Sequence, residues 1–383
     1  MESTTPPVSP PPASSNGGAS TWLNLLALAG VLFLFVVSLE VMGDGIKSLG
    51  RGSFDLAGML EKATNTPILA LITGILVTSL VQSSSTTTSL VVTLVAAGTL
   101  SIENAVPVIM GANIGTTVTN TIVSMGHITR PDEFKRAMAG ATVHDFFNWM
   151  AVLILLPLEV LFDVISTPAK ALAEALPGVN SGEPGDTPFE LVAELIATGL
   201  GETPWLMALV GLAGLFLSLR FLVKILKALV LGRSEGLLHK YIFGAPIVAM
   251  LCGVVITFMV QSSSVSTSIV IPLVGAGILT VRQIFPYTLG ANIGTTGTAM
   301  LAALVAVSSG EPAAAAGLTI ALAHLLFNVF GILIIYPIPF LREVPIRMAE
   351  FVGELAFKNR LYAIAYIVGL FYALPLLLEF LIL

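Results

Sequence analysis

Two stretches of this chain, 179 residues apart, repeat each other, and that repetition limits the folds open to it. Gln82-Ser83-Ser84-Ser85-Thr86-Thr87-Thr88-Ser89 is answered by Gln261-Ser262-Ser263-Ser264-Val265-Ser266-Thr267-Ser268. In both copies a Gly-Ala-Asn-Ile-Gly-Thr-Thr run begins 29 residues after the Gln, as Gly111 to Thr117 and again as Gly290 to Thr296. One residue out of step, His144-Asp145-Phe146-Phe147-Asn148 matches His324-Leu325-Leu326-Phe327-Asn328. A chain written this way folds as two like halves.

The medium follows from how little charge the halves carry. Of 383 residues, 55% are apolar and 10% are charged, against about 25% charged in a soluble domain. That excludes a soluble globular enzyme, a disordered chain and a nucleic-acid binder, which needs a basic face, and it indicates a multi-span membrane protein. Apolar runs lie at 22–43, 67–98, 104–125, 138–158, 205–222, 245–278, 284–305, 316–337 and 362–382. One crossing takes about 20 apolar residues, so 67–98 and 245–278 are too long for a single span. Each has a polar cluster at its centre and reads as a helical hairpin that enters and returns on one side. The lone Cys252 permits no intrachain disulfide.

The expected organisation is a disordered Pro/Ser-rich tail over 1–20, a membrane repeat over 22–158, an acidic external loop over 159–204, a second repeat over 205–337, and a cytoplasmic connection with a final span over 338–383. No basic n-region precedes the first apolar run, which argues against a secretory signal. The loop 159–204 holds eight acidic residues and one base, Lys170. Arg220, Lys224, Lys227, Arg233 and Lys240 place the next connection in the cytoplasm, as do Arg130, Lys135 and Arg136, and later Arg342, Arg347, Lys358 and Arg360. The loop after the first GANIGTT run then lies inside and the loop after the second, with Glu311 its only charge, lies outside. The halves are expected to be inverted, each with an interrupted helix, which is the sequence mark of a secondary transporter with its site at the repeat interface. The fold class expected is therefore an all-α polytopic membrane protein built of two inverted-topology repeats.

Rows of Ser, Thr and Gln are costly in lipid and must face protein or water. A single such row reads as glue between helices, but two matched rows followed by identical glycine runs favour a binding site. Half-helix N-termini and hydroxyl donors suit an anion, and unwound carbonyls and hydroxyl oxygens suit a small hard cation. No Lys or Arg occurs from Ala63 to Thr129, from Tyr241 to Val281, or from Gln283 to Leu341, so an anion held here would need co-bound cations. The glycines of GANIGTT allow either close backbone approach or a helix break. His144 and His324 read as a proton relay or as buried imidazoles bonded to a neighbouring Asn. Asp145 reads as a cation ligand or as a carboxylate near the membrane surface, and Glu40 as a partner for Arg220. A serine hydrolase using Ser84 or Ser263 would need one asymmetric Ser–base pair and shows no G-x-S-x-G elbow. A passive channel would conduct without a coupled substrate, and a nucleotide-driven pump would need a phosphate-binding loop that is missing from the sequence.

The two QSSS clusters, the GANIGTT runs, GATVHDFFNW at 140–149, and YPIPF near PIRMA at 336–349 resemble the type II sodium-dependent phosphate cotransporters over about residues 30–380. The resemblance implies sodium-driven transport of inorganic phosphate, with each QSSS cluster at a hairpin tip and no cofactor beyond sodium as co-transported ion. It implies substrate contacts at Gln82, Ser83, Ser84, Ser85, Gln261, Ser262, Ser263 and Ser264. Oxygens at Thr86, Asn113, Thr116, Thr117, Thr267, Ser268, Asn292, Thr295 and Thr296 are the candidates for sodium. The animal relatives have a large glycosylated, disulfide-bearing external loop and a cytoplasmic tail. The short loop without cysteine or sequon here, and the end at Leu383, lead us to expect a bacterial plasma-membrane protein. Expected partners are phosphate, sodium and the lipid bilayer, with neither nucleic acid nor an obligate protein partner.

Overall fold

A computed structural model describes residues 17–51, 62–176, 188–230, 243–308 and 314–382, and among them the chain is helix and turn without a strand. Five of the described helical stretches are long and apolar enough to cross a membrane: Ile102–His127, Pro131–Phe162, Val281–Ser308, Ala314–Ile335 and Leu361–Leu381. The protein is thus an all-helical, multi-pass membrane protein.

In the first half α1 (Gly17–Arg51) is followed by α2 (Pro67–Val81), α3 (Ser84–Ala96), α4 (Ile102–Gly115), α5 (Val118–Ser124) and α6 (Pro131–Phe162). Short helices α7 (Ser166–Ala175) and α8 (Pro188–Gly199) follow. The second half comprises α9 (Pro204–Val230), α10 (Pro246–Val260), α11 (Ser263–Ser268), α12 (Ile271–Gly275), α13 (Val281–Ser308) and α14 (Ala314–Ile335). The chain continues through α15 (Pro339–Lys358) and α16 (Leu361–Val368), and through a π-helical turn, Gly369–Ala373, into α17 (Leu374–Ile382).

Three expectations fall on segments that are described only in part. Most of the tail lies outside the described residues, and α1 already starts at Gly17. The acidic stretch is helical where described. Glu159 takes the free N–H groups of Ile165 (2.6 Å) and Ser166 (3.1 Å) at the start of α7, and α8 buries Ala193 against Val37, Val41 and Met207. The pairing of Glu40 with Arg220 falls on a side chain outside the described residues, as do the side chains of Lys224, Lys227, Arg233 and Lys240.

The glycines of the repeated run serve backbone contact. A Cβ at Gly111 would land on the Leu71 carbonyl, and one at Gly74 on the Val108 carbonyl, so α2 and α4 touch main chain to main chain. Gly290 faces the Met250 carbonyl and Gly253 the Tyr287 carbonyl in the same way, locking α10 to α13. Small residues permit this approach in membrane helices.

A two-residue turn at Thr116 and Thr117, still helical in its dihedrals, accompanies the run only in the first copy. There α4 ends at Gly115 and α5 resumes at Val118, whereas α13 carries the second run unbroken. An interrupted GANIGTT helix in each half is therefore not what forms. In the first half Thr117 Oγ1 donates to Ile114 O (2.8 Å) and to Asp145 Oδ1 (3.0 Å). Leu325 stands where Asp145 would recur, and Thr296 bonds only its own helix at Ile293 O (2.7 Å). The second half turns instead in its hairpin, between α11 and α12, beside Pro272, which lacks the N–H a continuous helix needs.

The halves interlock. α1 packs along α9, α3 packs on α13 and α14, and α12 packs on α6, so the second leg of each hairpin rests on the opposite half.

Candidate functional site

Each hairpin turns at a glutamine in a backbone conformation that L-residues avoid. Gln82 sits at φ 54°, ψ 31° and Gln261 at φ 54°, ψ 27°, with their N–H groups bonded to Thr78 O and Thr257 O, each at 2.7 Å. Such left-handed caps usually fall to Gly or Asn. The next residue restarts the helix. Ser83 Oγ accepts from Thr86 N (3.2 Å) and Ser262 Oγ from Val265 N (3.3 Å), as serine N-caps do. Two residues thus complete each corner. Strained non-glycine residues persist where the surroundings hold them and cluster at functional sites.

The corners meet. Ser85 Oγ donates to the Gln261 carbonyl (3.0 Å), and Ser264 Oγ stands 3.5 Å from the Thr116 carbonyl at the turn between α4 and α5. Thr267 Oγ1 donates to Asn120 Oδ1 (2.8 Å) on α5. Gln261 is buried. Its Oε1 accepts from Thr298 (2.5 Å) and its Nε2 donates to Phe258 O (2.5 Å). Ser84, Ser85, Thr86 and Ser263 are buried around this contact, while Gln82 is exposed.

Most of the expected cation hydroxyls bond carbonyls of their own helix, Thr116 at Ala112 O (2.8 Å), Thr267 at Ser263 O (2.6 Å) and Ser268 at Ser264 O (2.5 Å) among them. Thr116, Thr117, Thr267 and Ser268 lie on the elements that converge at the corners, and Thr86 bonds Ser83 Oγ (2.8 Å). Thr295 and Thr296 turn their hydroxyls onto their own helix, at Ala291 O (3.0 Å) and Ile293 O (2.7 Å). Asn113 and Asn292 join the halves. Asn113 Oδ1 pairs with His324 Nε2 (3.0 Å) and its Nδ2 donates to Asn328 (2.9 Å). Asn292 makes the same two contacts with His144 and, at 2.7 Å, Asn148. In this conformation the amide oxygen and nitrogen of both residues are committed. Each imidazole is a buried partner for an Asn, though of the opposite half and not of its own segment.

Asp145 is fully buried. Thr117 and Tyr366 donate to its two oxygens, and among the described residues no Lys or Arg pairs with it. Sequence reasoning missed Thr298, Thr119, Asn120 and Tyr366. The signal for the first two was their common place, two residues beyond each GANIGTT run.

Two matched corners, interlocked halves and, among the described residues, a polar centre without Lys or Arg place the chain in the class of multi-pass membrane proteins built from two like halves. The model of the Na+/Pi-cotransporter family matches residues 34–178 and 203–337, one segment in each half. The chain is 35% identical to sodium-dependent phosphate transport protein 2B of Homo sapiens, across 92% of this chain and 64% of that protein. It is 36% identical to protein 2A of Rattus norvegicus, across 92% of this chain and 67% of that one. Protein 2A of Oryctolagus cuniculus is 37% identical, with 93% and 67% covered. The chain spans about two thirds of the length of these relatives. No solved structure matches it significantly. The chain belongs to the Na+/Pi-cotransporter family.

Proposed function

We propose that this protein is a sodium-coupled importer of inorganic phosphate, not an enzyme, that works in the plasma membrane of a bacterium. The observation that carries the reading is the meeting of two strained, serine-capped corners in a region without Lys or Arg. The relatives it matches are by name sodium-dependent phosphate transport proteins. Phosphate would lie between Gln82–Ser85 and Gln261–Ser264, where hydroxyls and the free N–H groups opening α3 act as donors. Its charge would be offset by sodium ions, held by Asp145, the Thr116 carbonyl and neighbouring hydroxyls. A buried carboxylate without a basic partner must take up a proton or be joined by a cation; its burial rules out the surface carboxylate, and in a sodium-coupled protein the second course makes Asp145 a ligand.

The hairpins are proposed to be re-entrant. α2 and α10 have 15 residues each, about 22 Å at 1.5 Å per residue, short of the ~30 Å hydrocarbon core. The charge asymmetry of the loops supports an inverted arrangement of the halves. The test is uptake of labelled phosphate into proteoliposomes. An inward sodium gradient should accelerate it, and excess sulfate or dicarboxylate should leave it unchanged. Uptake indifferent to sodium would refute the proposal, and competition by the other anions would reassign the substrate.

A further inference from the structure

At the end of α6 that the loop charges assign to the cytoplasm, a cavity of about 290 Å³ lies where α15 turns into α16. Pro131 and Phe134 of α6 form one wall, and Phe357, Lys358, Asn359 and Arg360 form the other. Among the described residues neither Lys358 nor Arg360 is paired with a carboxylate. The neighbouring bases are taken: Lys135 is bonded to Glu354 and stands over the Phe357 ring, and Arg130 is bonded to Glu133. Asn359 Oδ1 accepts from Leu361 N (2.9 Å) and so fixes the corner that carries the two free bases.

Two apolar surfaces lead to this corner. α15 has six charged residues among its 20, and it buries Ile346, Ala349, Val352 and Ala356 in the protein. Phe340, Val344, Met348, Phe351 and Leu355 recur at intervals of three and four and form a second apolar stripe, with Phe340 76% and Phe351 62% exposed. Lys358 prolongs that stripe by three residues. A helix with an exposed apolar stripe beside charged residues lies in the membrane interface. From Arg360 the chain enters a stretch long and apolar enough to cross a membrane, with Leu361, Ile364 and Val368 exposed along one side.

We propose that this cavity binds an acidic phospholipid of the cytoplasmic leaflet. The lipid phosphodiester lies between Lys358 and Arg360, whose guanidinium fork matches phosphate oxygens, and the acyl chains follow the exposed side of α16. A zwitterionic headgroup brings its own ammonium to bases that lack a counter-charge, so the site selects headgroups of net negative charge. Soluble phosphate offers the same oxygens, but only a lipid also covers the apolar surfaces that meet here. α6 and α16, which flank the cavity, meet again where Tyr366 donates to Asp145, so the bound headgroup ties together the two helices that frame that carboxylate. The proposal is independent of which solute the protein carries.

The test uses the full chain with Tyr362→Trp, at an exposed position beside the cavity, in phosphatidylcholine vesicles. Phosphatidylglycerol or phosphatidylcholine with brominated acyl chains is included at a low mole fraction. Quenching beyond that of the unsubstituted chain reports the lipid next to the added indole. Two bases at the membrane surface should enrich phosphatidylglycerol roughly ten- to thirtyfold over phosphatidylcholine. Lys358→Gln/Arg360→Gln should make the two lipids quench equally, whereas Lys358→Arg/Arg360→Lys should keep the preference. Arg347→Gln, which removes an exposed base outside the cavity, should keep it too. Equal quenching by the two lipids in the starting protein, or a comparable loss of preference in Arg347→Gln, would overturn the proposal. Sodium phosphate should displace no more brominated lipid than sodium chloride of the same ionic strength. Displacement by phosphate alone would make the cavity a soluble-anion site and overturn the lipid assignment.

Discussion

Replacing each corner glutamine by glycine should have opposite effects on stability in the two halves, although the local sequences match. At φ 54° an L-residue costs about 1–2 kcal/mol relative to glycine. The larger freedom of glycine in the unfolded chain takes back about 0.5–1 kcal/mol. Gln82 is exposed, so Gln82→Gly should stabilise the fold by roughly 0.5–1 kcal/mol. Gln261→Gly gains the same term but leaves Thr298 Oγ1 and Phe258 O without their bonds at 2.5 Å. At about 1–3 kcal/mol for each buried group left unpaired, less the backbone gain, it should destabilise on balance by roughly 1–5 kcal/mol. Melting of each purified variant, followed by the fraction that stays monodisperse, should place Gln82→Gly at or above the wild type and Gln261→Gly below it. Both should abolish sodium-driven phosphate uptake. A loss of stability in Gln82→Gly would refute the backbone argument, and normal uptake would remove the Gln82 side chain from the site.

Other substitutions follow from the same contacts. In Asp145→Asn the hydroxyls of Thr117 and Tyr366 can rotate to suit an amide, so the fold should persist. Unit charges ~4 Å apart interact by about 4 kcal/mol at an effective dielectric of 20, and a third of that would raise the half-saturating sodium concentration about tenfold, read by uptake against sodium with the membrane potential clamped. Gly290→Ala would drive a Cβ into the Met250 carbonyl and should cost about 1–3 kcal/mol or more. Gly30→Ala, with open space around it, should gain a few tenths to about 1 kcal/mol, and thermal unfolding of the pair compares them. Arg282 hydrogen-bonds Glu343 and holds its carboxyl below the usual range. The stabilisation of α15 by this pair is therefore present above the ordinary carboxylate pKa and lost as pH falls through the lowered one, so exchange over 339–358 should accelerate in acid more in the wild type than in Glu343→Gln.

The turns were legible because each long apolar run carries a polar cluster at its centre, and the duplication repeats that pattern; the serine caps and the left-handed glutamines that make the turns emerge only in the structure. The membrane setting followed from the scarcity of charge. What could not be read is what depends on the opposite half. Asn113 lies 35 residues from Asn148, yet its side chain bonds to His324 and Asn328, and nothing in the run around it announces that exchange. Identical GANIGTT runs stand in different surroundings, with Thr117 bonded to Asp145 where the second half has Leu325. The unequal burial of Gln82 and Gln261 is likewise a tertiary outcome on the same letters.

The crossed asparagines also bear on how such a chain could have arisen. A half-length protein, folded alone, would bury an asparagine among apolar helices with neither the imidazole nor the second amide that answers it here. It would be stable only by pairing with another copy of itself that offered those groups in return. A gene fusion would then have tied together two partners already committed to each other. Cutting the present chain between residues 176 and 188 and producing both fragments in one cell should rebuild the protein, whereas either fragment alone should be degraded.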